Sequence, residues 1–225
     1  MRRALVVAVI GLLAGGVAMA GVVNSLHDLS GSGPSTVTDA TEVCVFCHTP
    51  HQVTAAVSGA ADDPIDPLWN HTLSTNATYG VYDSDTMDAT PTELGNSDWS
   101  TGNAAIVSNL CLSCHDGTVS VSSMYNPPVG GVPTTSGGGG VLGTGLMDPA
   151  DSANVGTDLT NDHPVNFTYP GVVAGEFQNP TNAVLFGGEV QCGSCHDAHN
   201  DTVGEQPFLV TSNTDSALCT DCHLK

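Results

Sequence analysis

The sequence predicts a chain that is mostly irregular coil, with a few short helices and minimal strand, and an interior not built mainly from packed side chains. Three observations lead to this. The 225 residues include 26 glycines and 13 prolines but only 5% aromatics, a composition rich in turns and poor in core material. Apolar residues recur with helical spacing only over short stretches. The eight cysteines form four evenly built pairs, which points to a core supplied from outside the polypeptide.

The elements follow in chain order. Met1-Arg2-Arg3 precedes an Ala/Gly/Val/Leu-rich run that ends in Ala18-Met19-Ala20. A positive start, a short apolar stretch and a small-x-small site describe a secretory signal peptide over residues 1–20, removed after Ala20. An uncleaved anchor is the alternative, but the run is short for a span. No cysteine stands near the cleavage site to take a lipid, and no later segment is apolar enough for a membrane span. Residues 21–225 are therefore expected as one secreted, soluble domain, extracellular or at the cell surface, with the periplasm as the alternative.

Within it, Asn103 to His115 carries Ala105, Ile106, Leu110 and Leu112 at helical spacing, with Gly117 as a stop signal. Thr214 to His223 is a second short helix, with Ser212 at its N-cap. Gln206 to Thr211 reads as a short strand. Gly130-Gly131-Val132-Pro133 and Gly137 to Gly140 read as loop. Both arginines leave with the signal, so Lys225 faces 23 acidic residues as the mature chain's only base. Such a surface excludes nucleic acid as a partner and favours cationic partners, metal ions or minerals. Most of these carboxylates are accounted for as a solvated surface, and none is assigned a catalytic role.

The cysteine pairs name a cofactor. They are Cys44 and Cys47 before His48, Cys111 and Cys114 before His115, Cys192 and Cys195 before His196, and Cys219 and Cys222 before His223. C-x-x-C-H is the attachment pattern of covalent haem c: the two thiols bond the porphyrin vinyl groups, and the histidine ligates the iron from the proximal side. A single copy would be weak, because C-x-x-C also marks zinc sites and redox dithiols. Four copies are not. With 9 histidines in 225 residues, chance would place one after every pair with odds on the order of a few in a million. Zinc or disulfides would leave the four adjacent histidines unexplained.

The other histidines are His27, His51, His71, His163 and His199. A histidine, then C-x-x-C-H-x-x-H, then C-x-x-C-H occurs twice, over about residues 27–115 and 163–223. Each of these two dihaem repeats supplies two proximal and two distal ligands: His27 and His51 in the first, His163 and His199 in the second. Four bis-His haems account for these eight histidines. His71 falls outside the pattern and reads as a surface or haem-edge residue. Met87, Met124 and Met147 are not needed as ligands.

Reach limits the pairing. Histidines on opposite faces of one iron have Cα atoms roughly 12 Å apart, whereas three residues of extended chain span at most about 10–11 Å. His51 is thus excluded from the haem of His48, and His199 from that of His196. Each must reach a different haem, which draws the macrocycles into a stacked row suited to electron hopping. Two imidazoles leave no open iron face for substrate and set lower potentials than Met/His ligation.

Several segments resemble a known family: His27-Asp28-Leu29-Ser30, Cys44 to His51, Pro67-Leu68-Trp69-Asn70, Cys111 to Gly117, Asp162-His163-Pro164, Cys192 to Asn200 and Ser216-Ala217-Leu218-Cys219. They are similar to the extracellular tetrahaem c-type cytochromes that polymerise into filaments, the cytochrome nanowires of metal-reducing bacteria. The resemblance runs from about residue 24 to the C-terminus and includes every cysteine motif; residues 55–103 and 124–160 carry little of it. It implies a multihaem cytochrome c fold of irregular coil around a continuous haem row. It also implies a homopolymer in which one distal histidine serves the adjoining subunit. His51 is the candidate donor and His27 the runner-up. His71 has no counterpart in that pattern.

Three function classes follow. The first is electron transfer as the subunit of a conductive extracellular filament, with other cytochromes or extracellular metal and mineral acceptors as partners. The second is a soluble periplasmic or extracellular shuttle. The third, a multihaem reductase, needs an open iron and basic residues for anions, so the chain is expected to be an electron carrier and not an enzyme.

Overall fold

The computed structural model describes residues 21–49, 69–76, 78–87, 89–90, 106–200 and 208–224. Residues 1–20, His51 and Lys225 lie outside the described residues, as do Pro67 and Leu68. Turns and bends dominate. The helices are α1 (Ile106–His115), α2 (Cys192–Cys195) and α3 (Ala217–Thr220), with 3-10 turns at Cys44–Phe46 and Thr214–Ser216. The strands β1 (Gly80–Val81), β2 (Asp158–Leu159), β3 (Phe167–Thr168) and β4 (Glu189–Val190) have two residues each. β1 pairs parallel with β2, placing Gly80 opposite Asp158. β3 pairs antiparallel with β4, placing Phe167 opposite Val190. Few short helices and minimal strand is thus the architecture. No helix among the described residues is long and apolar enough to cross a membrane.

α1 forms where the apolar spacing predicts it, although residues 101–105 lie outside the described set. It stops as the sequence indicates: Gly117 takes φ +72° and donates its N–H to the Cys114 carbonyl at 3.1 Å. The C-terminal helix departs from expectation. Asp215 and Ser216 adopt left-handed φ of 54° and 64°, so a 3-10 turn precedes α3 and the helix begins at Ala217. Ser212 does not cap it; its Oγ accepts the Thr214 N–H at 3.1 Å in a local turn. The strand expected over 206–211 is reduced to one bridge between Leu209 and His196, with residues 206–207 outside the described set.

Among the described residues apolar packing is divided into three small clusters. Tyr79, Leu112 and Leu159 form one, Val37, Val121 and Val141 another, and Leu73 with Trp69 and Leu110 the third. Of the ten largest fully buried side chains among the described residues only Leu112 and Val37 are apolar; the others include His71, Gln191, Asn70, Asn166 and Asp28. A single-core domain would show the reverse. Buried polar groups must be hydrogen-bonded, and they organise this interior. Asn70 donates to the carbonyls of Val45 and Asn126 at 2.7 and 2.9 Å and accepts the Asn126 N–H at 2.8 Å, clamping the first cysteine motif to a distant loop.

Candidate functional site

All four cysteine motifs close one turn of helix. The histidine N–H bonds the carbonyl of the first cysteine at 2.8 Å for His48 and Cys44, 3.1 Å for His196 and Cys192, and 2.9 Å for His223 and Cys219. In the second motif α1 runs through to His115. One turn puts thiols at i and i+3 on the same face and carries the next residue to the side of that face. Each motif is therefore shaped to hold one edge of a flat group and set an imidazole beneath it.

The motifs adjoin in chain order. Burial and the neighbouring Cys47 hold the Cys114 thiol well above its ordinary range. A hydrogen bond to Cys192, together with burial, holds Cys111 well above it as well. Burial pushes Cys195 up to about 11, and Cys222 and Cys219 stand close enough to add to it. Cys192 is the exception: its hydrogen bond with Cys111 lowers it to about 7, the counterpart of the rise at Cys111.

A buried polar junction fixes the second motif to the third. Ser108, at the start of α1, donates its Oγ to Gln191 Oε1 at 2.5 Å and accepts the Cys192 N–H at 3.1 Å. Gln191 Nε2 donates to Asn166 Oδ1 at 3.1 Å and to Glu189 at 3.0 Å. The Gln191 backbone N–H is held by Ser194 Oγ at 2.9 Å. Residue-type patterns gave no sign of Gln191 or Ser108.

The histidines lie in pairs. Ring centroids are 6.0 Å apart for His27 and His115, 6.0 Å for His48 and His199, and 6.4 Å for His163 and His223. Each pair joins the histidine of one cysteine motif to a histidine outside the motifs. With metal–nitrogen bonds of about 2 Å and about 1 Å from ring nitrogen to ring centre, imidazoles on opposite sides of one iron have centroids about 6 Å apart. The second nitrogens support the same use. His115 Nδ1 donates to the Ala153 carbonyl at 2.8 Å, and His163 Nδ1 to the Pro164 carbonyl at 2.9 Å. A carbonyl only accepts, so Nε2 in both rings is left as the lone-pair nitrogen a metal needs. Burial lowers the pKa of His196 and of His223, which favours the neutral ligating form. These residues fit haem c.

The pairing exchanges partners between the repeats. His27 with His115 and His163 with His223 stay within one repeat, but His199 of the second lies against His48 of the first. Among the described residues His196 has no second imidazole at such a separation, and His51 lies outside them. His71 is different in kind. It is 1% exposed, so of the two expected positions the surface one is corrected, and its place beside Cys114, Nε2 3.5 Å from that sulfur, fits the other, at the edge of the second motif's site. Its Nε2 donates to the Ser120 carbonyl at 3.0 Å, the nitrogen that the ligand-like histidines keep open. Burial lowers its pKa and keeps it neutral.

Comparison with protein families matches residues 185–225, the last two motifs, to a doubled CXXCH motif. No curated protein matches the chain. The matched region identifies c-type haem binding, the chemistry of electron transfer.

Proposed function

We propose that the chain carries four covalent, bis-His c-type haems and moves electrons along them as the subunit of an extracellular cytochrome filament. The observation that carries the reading is the set of three imidazole pairs, at 6.0, 6.0 and 6.4 Å, each opposing a motif histidine to one from elsewhere in the chain. When bound, each haem iron takes up and releases one electron. The chain would supply the rest: thiols to hold each ring edge, paired imidazoles to ligate the iron, and carbonyls of Ala153 and Pro164 that orient two of those imidazoles.

The proximal set is His48, His115, His196 and His223; the distal set is His27, His51, His163 and His199. Pairing leaves His196 and His51 as the remaining members. His51 is the donor that serves His196 of an adjoining copy, and that ligand bond is what makes the homopolymer. With both axial positions taken, the reading excludes a reductase, and with few bases it excludes anion-binding catalysis. The 23 acidic residues fit cationic, metal or mineral acceptors.

The test is on protein purified with its haems from the cell exterior. The expected result is a mass equal to residues 21–225 plus four haems, a wholly low-spin absorption spectrum and filaments by negative-stain microscopy. A monomer alone by size-exclusion chromatography replaces the filament with a soluble shuttle. A high-spin signal revives the reductase, and a bare processed chain overturns the reading.

A further inference from the structure

The three imidazole pairs differ in the angle between their rings. His48 and His199 are 17° apart, close to parallel, whereas His27 and His115 are 79° apart and His163 and His223 are 71° apart, close to crossed. An imidazole plane selects which iron dπ orbital it overlaps. Parallel rings act on the same orbital and split the pair; crossed rings act on one each and leave the two nearly equal in energy. Ring orientation would therefore tune the electronic state of an iron whose ligands are otherwise identical.

A ring stacked on an imidazole resists its turning about the bond to the metal, and His27 has such a ring. The ring of Phe208 lies on it: the centroids are 4.2 Å apart and the planes 23° apart, a stacked contact. Phe208 is 7% exposed and has φ +64°, a left-handed backbone that a bulky residue adopts only under constraint. The constraint is visible on both sides. The Phe208 carbonyl accepts the Asp197 N–H at 2.7 Å, the neighbouring Leu209 bridges His196, and Val210 N–H bonds the Cys195 carbonyl at 2.9 Å. Phe208 is thus fastened along the third cysteine motif and presents its ring to the partner of the second.

We propose that Phe208 is a positioning residue that stacks on His27 and sets its plane across that of His115, so that the chain builds crossed-ligand and parallel-ligand irons side by side. This rests on the bis-His reading above. Electron paramagnetic resonance of the oxidised, haem-loaded protein reads it directly, since crossed imidazoles give a highly anisotropic low-spin signal at lower field and parallel ones a rhombic signal. Both signals are expected in the unaltered protein. Phe208→Asn removes the ring, while asparagine tolerates the left-handed backbone; it should move one iron's share from the low-field signal to the rhombic one at unchanged haem content. Phe208→Tyr keeps the stacked ring and should restore the low-field share. A wholly rhombic spectrum, or a low-field share unaltered in Phe208→Asn, overturns the proposal. Loss of all low-spin signal or of bound haem instead counts against the bis-His reading, so the two failures are told apart.

Discussion

The second and fourth cysteine motifs have the same pattern but opposite supports. The second sits at the end of the ten-residue α1, with Leu112 packed against Tyr79 and Leu159 and with Ser108 fully buried at the Gln191 junction. The fourth rides on a four-residue helix in which no residue is buried, entered through two left-handed residues. Apolar contact and helix length hold the one. Polar contacts hold the other. Asp221, 6% exposed, accepts the N–H groups of Thr181, Asn182 and Ala183 at 2.8–3.0 Å, and the Thr181 hydroxyl and Asn182 amide at 2.7 and 3.1 Å, while Gln178 donates to the carbonyls of Thr220 and Cys222 at 2.7 and 2.9 Å. One attachment chemistry can therefore be presented by packing or by charge, and the two should fail under different conditions.

Deleting attachment points tests this most severely. The double change Cys111→Ala with Cys114→Ala should abolish accumulation of haem-loaded protein, because the second motif adjoins both the first and the third. Cys219→Ala with Cys222→Ala should yield a secreted chain lacking one haem and retaining the others. Mass spectrometry of the exported protein decides; equal losses would erase the distinction between centre and periphery.

A smaller effect separates charge from packing. Burial alone would raise the pKa of Asp221, but its donors hold it well below the ordinary value of 3.8. A carboxylate depressed on folding stabilises the fold above that ordinary value and ceases to do so as pH falls through its folded pKa. Acid should therefore loosen the fourth motif, with the loss confined below about pH 4. Asp221→Asn should cost about 2–3 kcal/mol at neutral pH and flatten that acid limb. Limited proteolysis against pH, read at the C-terminal segment, shows either outcome.

The mildest change falls on the second motif. At Gly117, φ +72° and a would-be Cβ 2.6 Å from the Asn154 amide both oppose a side chain. Gly117→Ala should cost about 1–2 kcal/mol by thermal unfolding and leave haem content unchanged. If it instead removes a haem, the end of α1 contributes more than the packing of Leu112 implies.

Cysteine spacing made the motifs legible, and glycine content made the loops legible, because both are local. The end of α1 was readable for the same reason, through Gly117. The Ser212 cap failed because Asp215 and Ser216 turn left-handed, a choice dictated by surroundings and not by residue type. Partner choice among the histidines was legible only in part: chain reach sent His199 away from His196, but nothing local pointed to His48, against which the fold sets it. His71 carries no local mark distinguishing a buried imidazole from an exposed one. Its role shows only in which nitrogen meets the Ser120 carbonyl.

The contact between His48 and His199 has a consequence for biogenesis. A ribosome delivers the chain from its N-terminus, so the first motif to emerge lacks its opposing ring until nearly the whole sequence has been made. Neither half is a miniature of the whole. Cut anywhere between Gly117 and Asp162, the N-terminal piece keeps His48 and loses His199, and the C-terminal piece keeps a ring with nothing to face. The first imidazole pair therefore forms only in a chain that extends past His199.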